Sequence, residues 1–383
     1  MDDFGYARRL LLLGAATVAT GARAQPVLRV GPGRAIKTLA AAARLARDGA
    51  VVQVDAGDYL ADVASWTQQD LTLRAVGGRV TMIAAGASAQ GKGIFVCAGE
   101  RMRIEGFDFV GARVPDANGA GIRLEKGSLT LVDCGFRDNE SGLLTSNDPN
   151  TRLMIENCDF GPIVRGEGQT HNLYVGRIAL LKVTGSYFHH GRLGHLLKSR
   201  AAVNHIFCNR LTDEIGGEAS YELEFPNGGQ ALVVGNLIQQ SSTTQNKVIV
   251  SYGAEGFAWP LQELQLVNNT IIDQLPHGGT YLRVAAGQAR VRLANNLLAG
   301  NPYFAASGDW EQQANHVVDW DAFMLAVRGD WRLRPDSPLR GKAVDGGTAS
   351  DGTSLRQVRQ YVHPHGSAAL RGPAADPGAF QAG

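Results

Sequence analysis

No run of basic residues occurs anywhere in the 383-residue chain, and 37 Lys+Arg against 36 Asp+Glu leave a formal net charge of +1. A general nucleic-acid binder needs a basic stripe, so that class is excluded. Cysteine is scarce. Cys97, Cys134, Cys158 and Cys208 form neither a C-x-x-C pair nor a zinc-ligand spacing. Each lies in an apolar, strand-like stretch, which predicts buried free thiols without chemistry. Proline is limited to 14 residues, and a Gly-X-Y period is missing. The 48 glycines, about an eighth of the chain against ~7% in ordinary soluble proteins, therefore mark neither collagen nor a linker. They mark many tight turns. With 44% apolar residues the chain can bury a large core, which excludes global disorder.

The N-terminus reads as an export signal over residues 1–24. Arg8 and Arg9 precede the apolar run Leu10 to Ala19, and Ala22-Arg23-Ala24 offers a small-residue cleavage site before Gln25. The run is too short for a membrane span, which needs ~20 residues, and no later segment supplies one. Paired arginines are compatible with a twin-arginine route. Cleavage removes three Arg and two Asp, leaving 34 basic and 34 acidic residues. The expected location is periplasmic or secreted.

One amphipathic helix is expected at residues 36–48, with Ile36, Leu39, Ala43 and Ala46 on its apolar face and Gly49 as its stop. After it the chain repeats. Short β-rich runs broken by Gly, Asn or Asp close on an apolar residue at Phe109, Phe136, Phe160, Phe188, Leu211, Ile238, Ile271 and Leu298. The intervals are 27, 24, 28, 23, 27, 33 and 27 residues. A second run precedes each marker by about fifteen residues, and such a repeat is too short for a βαβ unit. The economical solution is an all-β parallel β-helix, each strand pairing with its equivalent one coil away. Asn209, Asn236, Asn269 and Asn296 recur two residues before the marker, which predicts a buried structural ladder. The solenoid is expected over 25–300, capped by the helix. A non-repetitive extension over 301–383, carrying Trp310, Trp320 and Trp331, is expected to fold back on the last coils. Within it, Gly341 to Gly372 reads as a long surface excursion.

Ile36-Lys37-Thr38-Leu39, Ala42-Ala43, Asp48-Gly49-Ala50-Val51-Val52-Gln53-Val54 and Gly57-Asp58-Tyr59 together resemble the opening segment of pectin-lyase-like right-handed β-helices. The resemblance implies the fold and a carbohydrate ligand. That fold hosts lyases, hydrolases, epimerases, esterases and phage adhesins, so it names no reaction.

In a solenoid a site appears as polar residues stacked in adjacent coils. Three coils stand out: His171-Asn172-Leu173-Tyr174, then His195-Leu196-Leu197-Lys198-Ser199-Arg200, then Tyr221-Glu222-Leu223-Glu224 with Asn227 beyond. Strand alternation predicts Leu173, Leu196 and Leu223 inward, and Asn172, Tyr174, His195, Glu222 and Glu224 outward. His189, His190, Asp213 and Glu214 fall in turns on another face and read as rim or structural residues.

Lys198-Ser199, followed by Asn204-His205-Ile206 and Asn209-Arg210-Leu211, resembles the catalytic-lysine coil of the β-helical alginate and chondroitin lyases. The resemblance implies Lys198 as the base, an assisting arginine on the next coil, and acidic residues near the lysine holding Ca²⁺. Here Glu224 to Gly229 stands where the family carries Arg-His-Gly, and Gly194-His195 replaces its acidic pair. β-Elimination of a polyuronate needs a base, a stabilised enolate and a donor to the leaving oxygen. The expected catalytic set is Lys198, Arg200, His195, Tyr174 and Tyr221. His171, Asn172, Glu222, Glu224 and Asn227 are expected to bind substrate, with Ca²⁺ as the candidate cofactor.

The expected function is thus an exported lyase, a monomer whose partner is an acidic polysaccharide. Three alternatives stay open: a uronate epimerase, a non-catalytic carbohydrate-binding solenoid, and a glycoside hydrolase using Glu222 and Glu224. Those two residues are i and i+2 on one strand face, ~6.6–7 Å apart between backbones by strand rise.

Overall fold

A computed structural model describes residues 25–300 and 310–381. The expected signal segment lies outside the described residues. Among those described, no helix is long and apolar enough to cross a membrane.

Two sheets wind around one axis, of 21 and nine strands, and every ladder in them is parallel. Each coil contributes three short strands, for example His171–Val175, Ile178–Thr184 and Tyr187–His189. The next coil repeats them as His195–Ser199, Val203–Phe207 and Arg210–Thr212. The chain is a right-handed parallel β-helix.

The repeat markers are its core column. Phe109, Phe136, Phe160 and Phe188 stack ring on ring with centroids 5.2, 4.5 and 4.7 Å apart. Leu211, Ile238, Ile271 and Leu298 continue the column, all buried. Phe188 pairs in register with both Phe160 and Leu211, so like side chains superpose one coil apart.

The turn before each marker needs a left-handed residue, which explains its composition. Asp133, Asn157, Gly185, Cys208, Gly235, Asn268 and Asn295 all have φ between 51° and 70°. Only Gly, and less often Asn or Asp, adopts that region without strain. Beside the turns runs the asparagine ladder. Asn236 Oδ1 accepts from the backbone N–H and the amide of Asn209, at 2.9 and 3.0 Å. Its own amide donates to Ile206 O at 2.7 Å and Asn269 Oδ1 at 3.1 Å. The pattern continues through Asn296 to Asn315.

The N-terminal helix is shorter than expected, Leu39–Leu45. Thr38 caps it by accepting from Ala41 N, and Asp62 accepts from Leu39 N and Ala40 N. Ala46 is already extended, so the helix ends before Gly49; Leu39 and Ala42 are its buried residues, while Ala43 and Ala46 are partly buried.

The parallel ladder also runs past residue 300, since Glu311–Gln313 and His316–Val318 pair with the preceding coil. The C-terminal segment then covers the outside of the last coils. Phe323, Trp331 and Leu333 pack on Leu237, Ile272 and Leu297, while Ala349 and Leu355 pack on Leu232 and Val267. The stretch 341–372 is therefore no loose excursion: Leu355, Gln357 and Tyr361 in it are buried. All four cysteines are free and buried. Burial pushes the Cys208 thiol up to about 12, which leaves it inert.

Candidate functional site

The nine-stranded sheet brings the three polar coils into register. Tyr174, Lys198 and Glu224 are direct neighbours in one column, and His195 pairs with Tyr221 in a second. Lys198 Nζ lies 3.1 Å from Glu224 Oε2 and 3.1 Å from Glu255 Oε1. Arg200 grips the same Glu255 carboxylate through Nη2 at 2.7 and 2.8 Å and Nε at 3.1 Å. Its Nη1 donates to the Tyr174 hydroxyl at 2.5 Å, and the guanidinium sits 5.0 Å from that ring's centre. On the other side of Lys198, His195 Nε2 is 3.0 Å from Glu224 Oε2. His195 N–H donates to His171 Nδ1 at 3.0 Å, and Tyr221 stacks on the His195 ring at 4.9 Å. One connected network thus spans His171, His195, Glu224, Lys198, Glu255, Arg200 and Tyr174.

Burial sets the protonation of its members. It lowers His171 well below the ordinary imidazole value, and the cations at His195, Lys198 and Arg200 lower it further. Burial also lowers His195, opposed by the Glu224 carboxylate. For Glu224 burial alone would raise the carboxyl, but His195 and Lys198 outweigh it and the net shift is downward. Glu255 behaves likewise, with Arg200 and Lys198 overcoming burial. His195 Nε2 and Lys198 Nζ thus converge on the single oxygen Glu224 Oε2, all three groups largely buried.

Three expected substrate contacts are corrected. Asn172 and Glu222 point inward and are fully buried. Asn172 donates to Phe160 O at 2.6 Å and His189 O at 2.8 Å. The column they share also holds Gly142, where an added Cβ would lie 2.9 Å from the Phe160 ring. Strict alternation fails here: Asn172 and Leu173, and likewise Leu196 and Leu197, are consecutive residues that are all fully buried. Among the described residues, none other than Glu222 itself offers a hydrogen bond to its carboxyl oxygens. Burial raises it well above the usual carboxyl range, and Asp213 and Asp273 add to the effect. Glu222 and Glu224 thus leave opposite sides of the strand, and the carboxylate pair of the hydrolase alternative does not exist. Asn227 is buried too; its amide reaches Gly256 O at 3.4 Å and its carbonyl accepts from Ala258 N, so it holds a loop and faces no ligand.

That loop, residues 253–262, supplies what the sequence reading missed: Glu255, and Trp259, whose indole donates to Arg200 O at 3.1 Å. Its trace in the sequence was the 33-residue interval between Ile238 and Ile271, the widest of the series. An insertion over a polar column was legible there; its contacts were not.

The Ca²⁺ expectation does not fit these residues. Glu224 and Glu255 face cations in this structure, and among the described residues no group of three or more His, Cys, Asp or Glu is placed to hold a metal ion. One cavity is lined by Met324, Arg332 and Phe380 under the C-terminal segment. The candidate site lies on the outer face of the nine-stranded sheet, with its side chains largely buried and the Glu255 loop beside them.

Backbone comparison bears on the architecture. The chain aligns with the crystal structure of pectate lyase Pel9A at a TM-score of 0.62, covering 94% of this chain and 97% of that one. The fold is that of the pectin-lyase-like β-helices. Identity over the alignment is 12%, so the likeness fixes the winding of the chain and assigns no residue. No protein-family model and no curated protein matches the sequence.

Proposed function

We propose that this β-helix is an exported polysaccharide lyase that cleaves an acidic, uronate-containing polysaccharide by β-elimination on the face of the nine-stranded sheet. The observation that carries the reading is the position of Lys198: an ammonium or amine group on the outer sheet face, backed by a buried acid–base pair, with a guanidinium and a phenol beside it.

Each requirement of the reaction has a group to meet it. Lys198, acting as the neutral amine, removes the proton next to the substrate carboxylate, and the Glu224 carboxylate beside it stabilises the ammonium that forms. Arg200 neutralises the carboxylate as it becomes an enolate, the charge-stabilising part of the step. The electron pair returns to form the C=C bond as the C–O bond to the leaving sugar breaks. Tyr174, whose oxygen already accepts from Arg200, still has its own proton to give to that leaving oxygen. Two chains result, one with an unsaturated sugar at its new non-reducing end. Tyr221, flat against His195, walls the site. Nothing in the sequence of events calls for a metal ion at these residues.

The test is incubation of the mature chain with a panel of polyuronates, following the ultraviolet absorbance of the conjugated product. Absorbance rising with chain cleavage is the expected result. New reducing ends without absorbance would replace this reading with hydrolysis, and binding without turnover would replace it with a carbohydrate-binding solenoid.

A further inference from the structure

Glu255 holds a place that does not suit a permanent structural residue. Its carboxylate meets Arg200 in a fork, through three hydrogen bonds, and meets Lys198 in a fourth. This is the geometry by which arginine recognises a carboxylate ligand. The two sides of the contact differ in exposure: the side chains of Arg200 and Lys198 are 15% and 13% exposed, whereas that of Glu255 is 43% exposed. The cations are set into the sheet face, and the carboxylate lies over them from the solvent side.

The loop that carries it is anchored independently. Glu255 N donates to Pro226 O at 2.8 Å, and Gly256 N closes a tight turn on Gly253 O at 2.9 Å. Gly253 and Gly256 flank Glu255 with φ of 81° and 90°. Phe257 packs beside Tyr252 at 5.6 Å, and Trp259 ties the far end of the loop to Arg200 O. With the backbone held at both ends, rotation of the Glu255 side chain is all that is needed to vacate the cations. An exposed side chain changes rotamer on the picosecond-to-nanosecond scale.

We infer that Arg200 and Lys198 form the binding site for the substrate's carboxylate, and that Glu255 occupies this site as a stand-in which the incoming uronate displaces. The inference rests on the lyase reading for the chemistry of the ligand. It adds a location, one carboxylate between Arg200 and Lys198, and a competitor built into the chain. Displacement also separates Lys198 from one of its two carboxylate neighbours, leaving Glu224 alone beside Nζ. A neutral polysaccharide brings no group able to take over the Arg200 fork, so Glu255 acts as a filter for charge as well as a plug.

Isothermal titration of the full mature chain against trimers of galacturonate, mannuronate and guluronate, with cellotriose as the neutral control, tests this. Glu255→Gln keeps the shape of the side chain and removes its charge. The expected result is about tenfold tighter binding of at least one uronate trimer, a gain of one decade in Kd, with cellotriose unchanged. In a Glu255→Gln/Arg200→Ala double variant that gain should vanish. An unaltered thermal midpoint for Glu255→Gln would show that the loop is not held by this ion pair. A Glu255→Gln protein that binds every uronate no tighter than wild type, or binds none, overturns the inference. Tighter uronate binding by the variant, with no unsaturated product from either protein, would leave the site standing and sink the lyase reading alone.

Discussion

Two polar columns run along this solenoid, and they differ in almost every physical respect. In the asparagine ladder one residue type recurs from Asn209 to Asn315, and each amide is matched by a backbone group or the next amide. In the column of Tyr174, Lys198 and Glu224 each coil contributes a different side chain. Repetition satisfies hydrogen bonds because identical groups one coil apart can donate and accept in turn. Heterogeneity instead sets ionisable groups of opposite sign side by side, with His195 Nε2 and Lys198 Nζ both within 3.1 Å of Glu224 Oε2, and such groups can bind charge or move protons. The first column holds the coils together; the second is where chemistry is expected.

Substitutions in each column should separate the two roles. The largest effect is expected from Lys198→Ala, with loss of at least ~10³-fold in turnover, the upper range for removing a general base. Its stability cost should be only about 1–2 kcal/mol, since Glu224 keeps His195 as a partner; urea titration measures it. Wild-type turnover by this variant would end the lysine assignment. Asn236→Ala should do the reverse. It strands the Asn209 amide and Ile206 O inside the wall, costing about 2–5 kcal/mol of stability, while activity per folded molecule is retained. If instead stability is unchanged, the ladder is ornament and the contrast fails.

Tyr174→Phe should lower kcat about 100-fold with little change in KM, as expected for a proton donor used only in the transition state. A rise in KM alone would make Tyr174 a binding residue. The smallest effect concerns a third polar group, inside the coil. Glu222 is raised by burial, and Asp213 is raised by burial to about 7 against two backbone donors. A carboxyl raised in the folded state binds its proton more tightly there than when unfolded. Its contribution to stability is full below its unfolded value near 4 and is lost as pH rises through its folded value. Stability should therefore fall between pH 5 and pH 8, and Glu222→Gln should flatten that slope. At pH 8 the variant should be about 1–2 kcal/mol more stable than wild type. An equal slope in both proteins would mean that Glu222 has a partner after all.

The same contrast explains which features were legible from residues alone. Phe109 to Leu298, read as a period, is the stacked core; the four asparagines are a ladder; the four cysteines are buried thiols. Lys198, Glu224, His195, Arg200, Tyr174, Tyr221 and His171 do meet on one face. Asn172 and Glu222 were misplaced because strict alternation does not hold in these strands, and Asn227 because it holds a loop beyond its strand. Glu255 was missed because it lies 57 residues from Lys198, on a loop whose direction no repeat dictates.

By itself the sequence determined everything that depends on a neighbour one coil away. Period, marker residue and left-handed turn position are local properties, and in a parallel solenoid the partner one coil on obeys the same local rules. Only the tertiary structure decided where consecutive strand residues are both buried, how the segment after residue 318 lies against the outer face, and that Glu255 closes over Arg200 and Lys198. These depend on backbone angles set by packing between sheets and on insertions that break the period, and neither leaves a repeating trace in the chain.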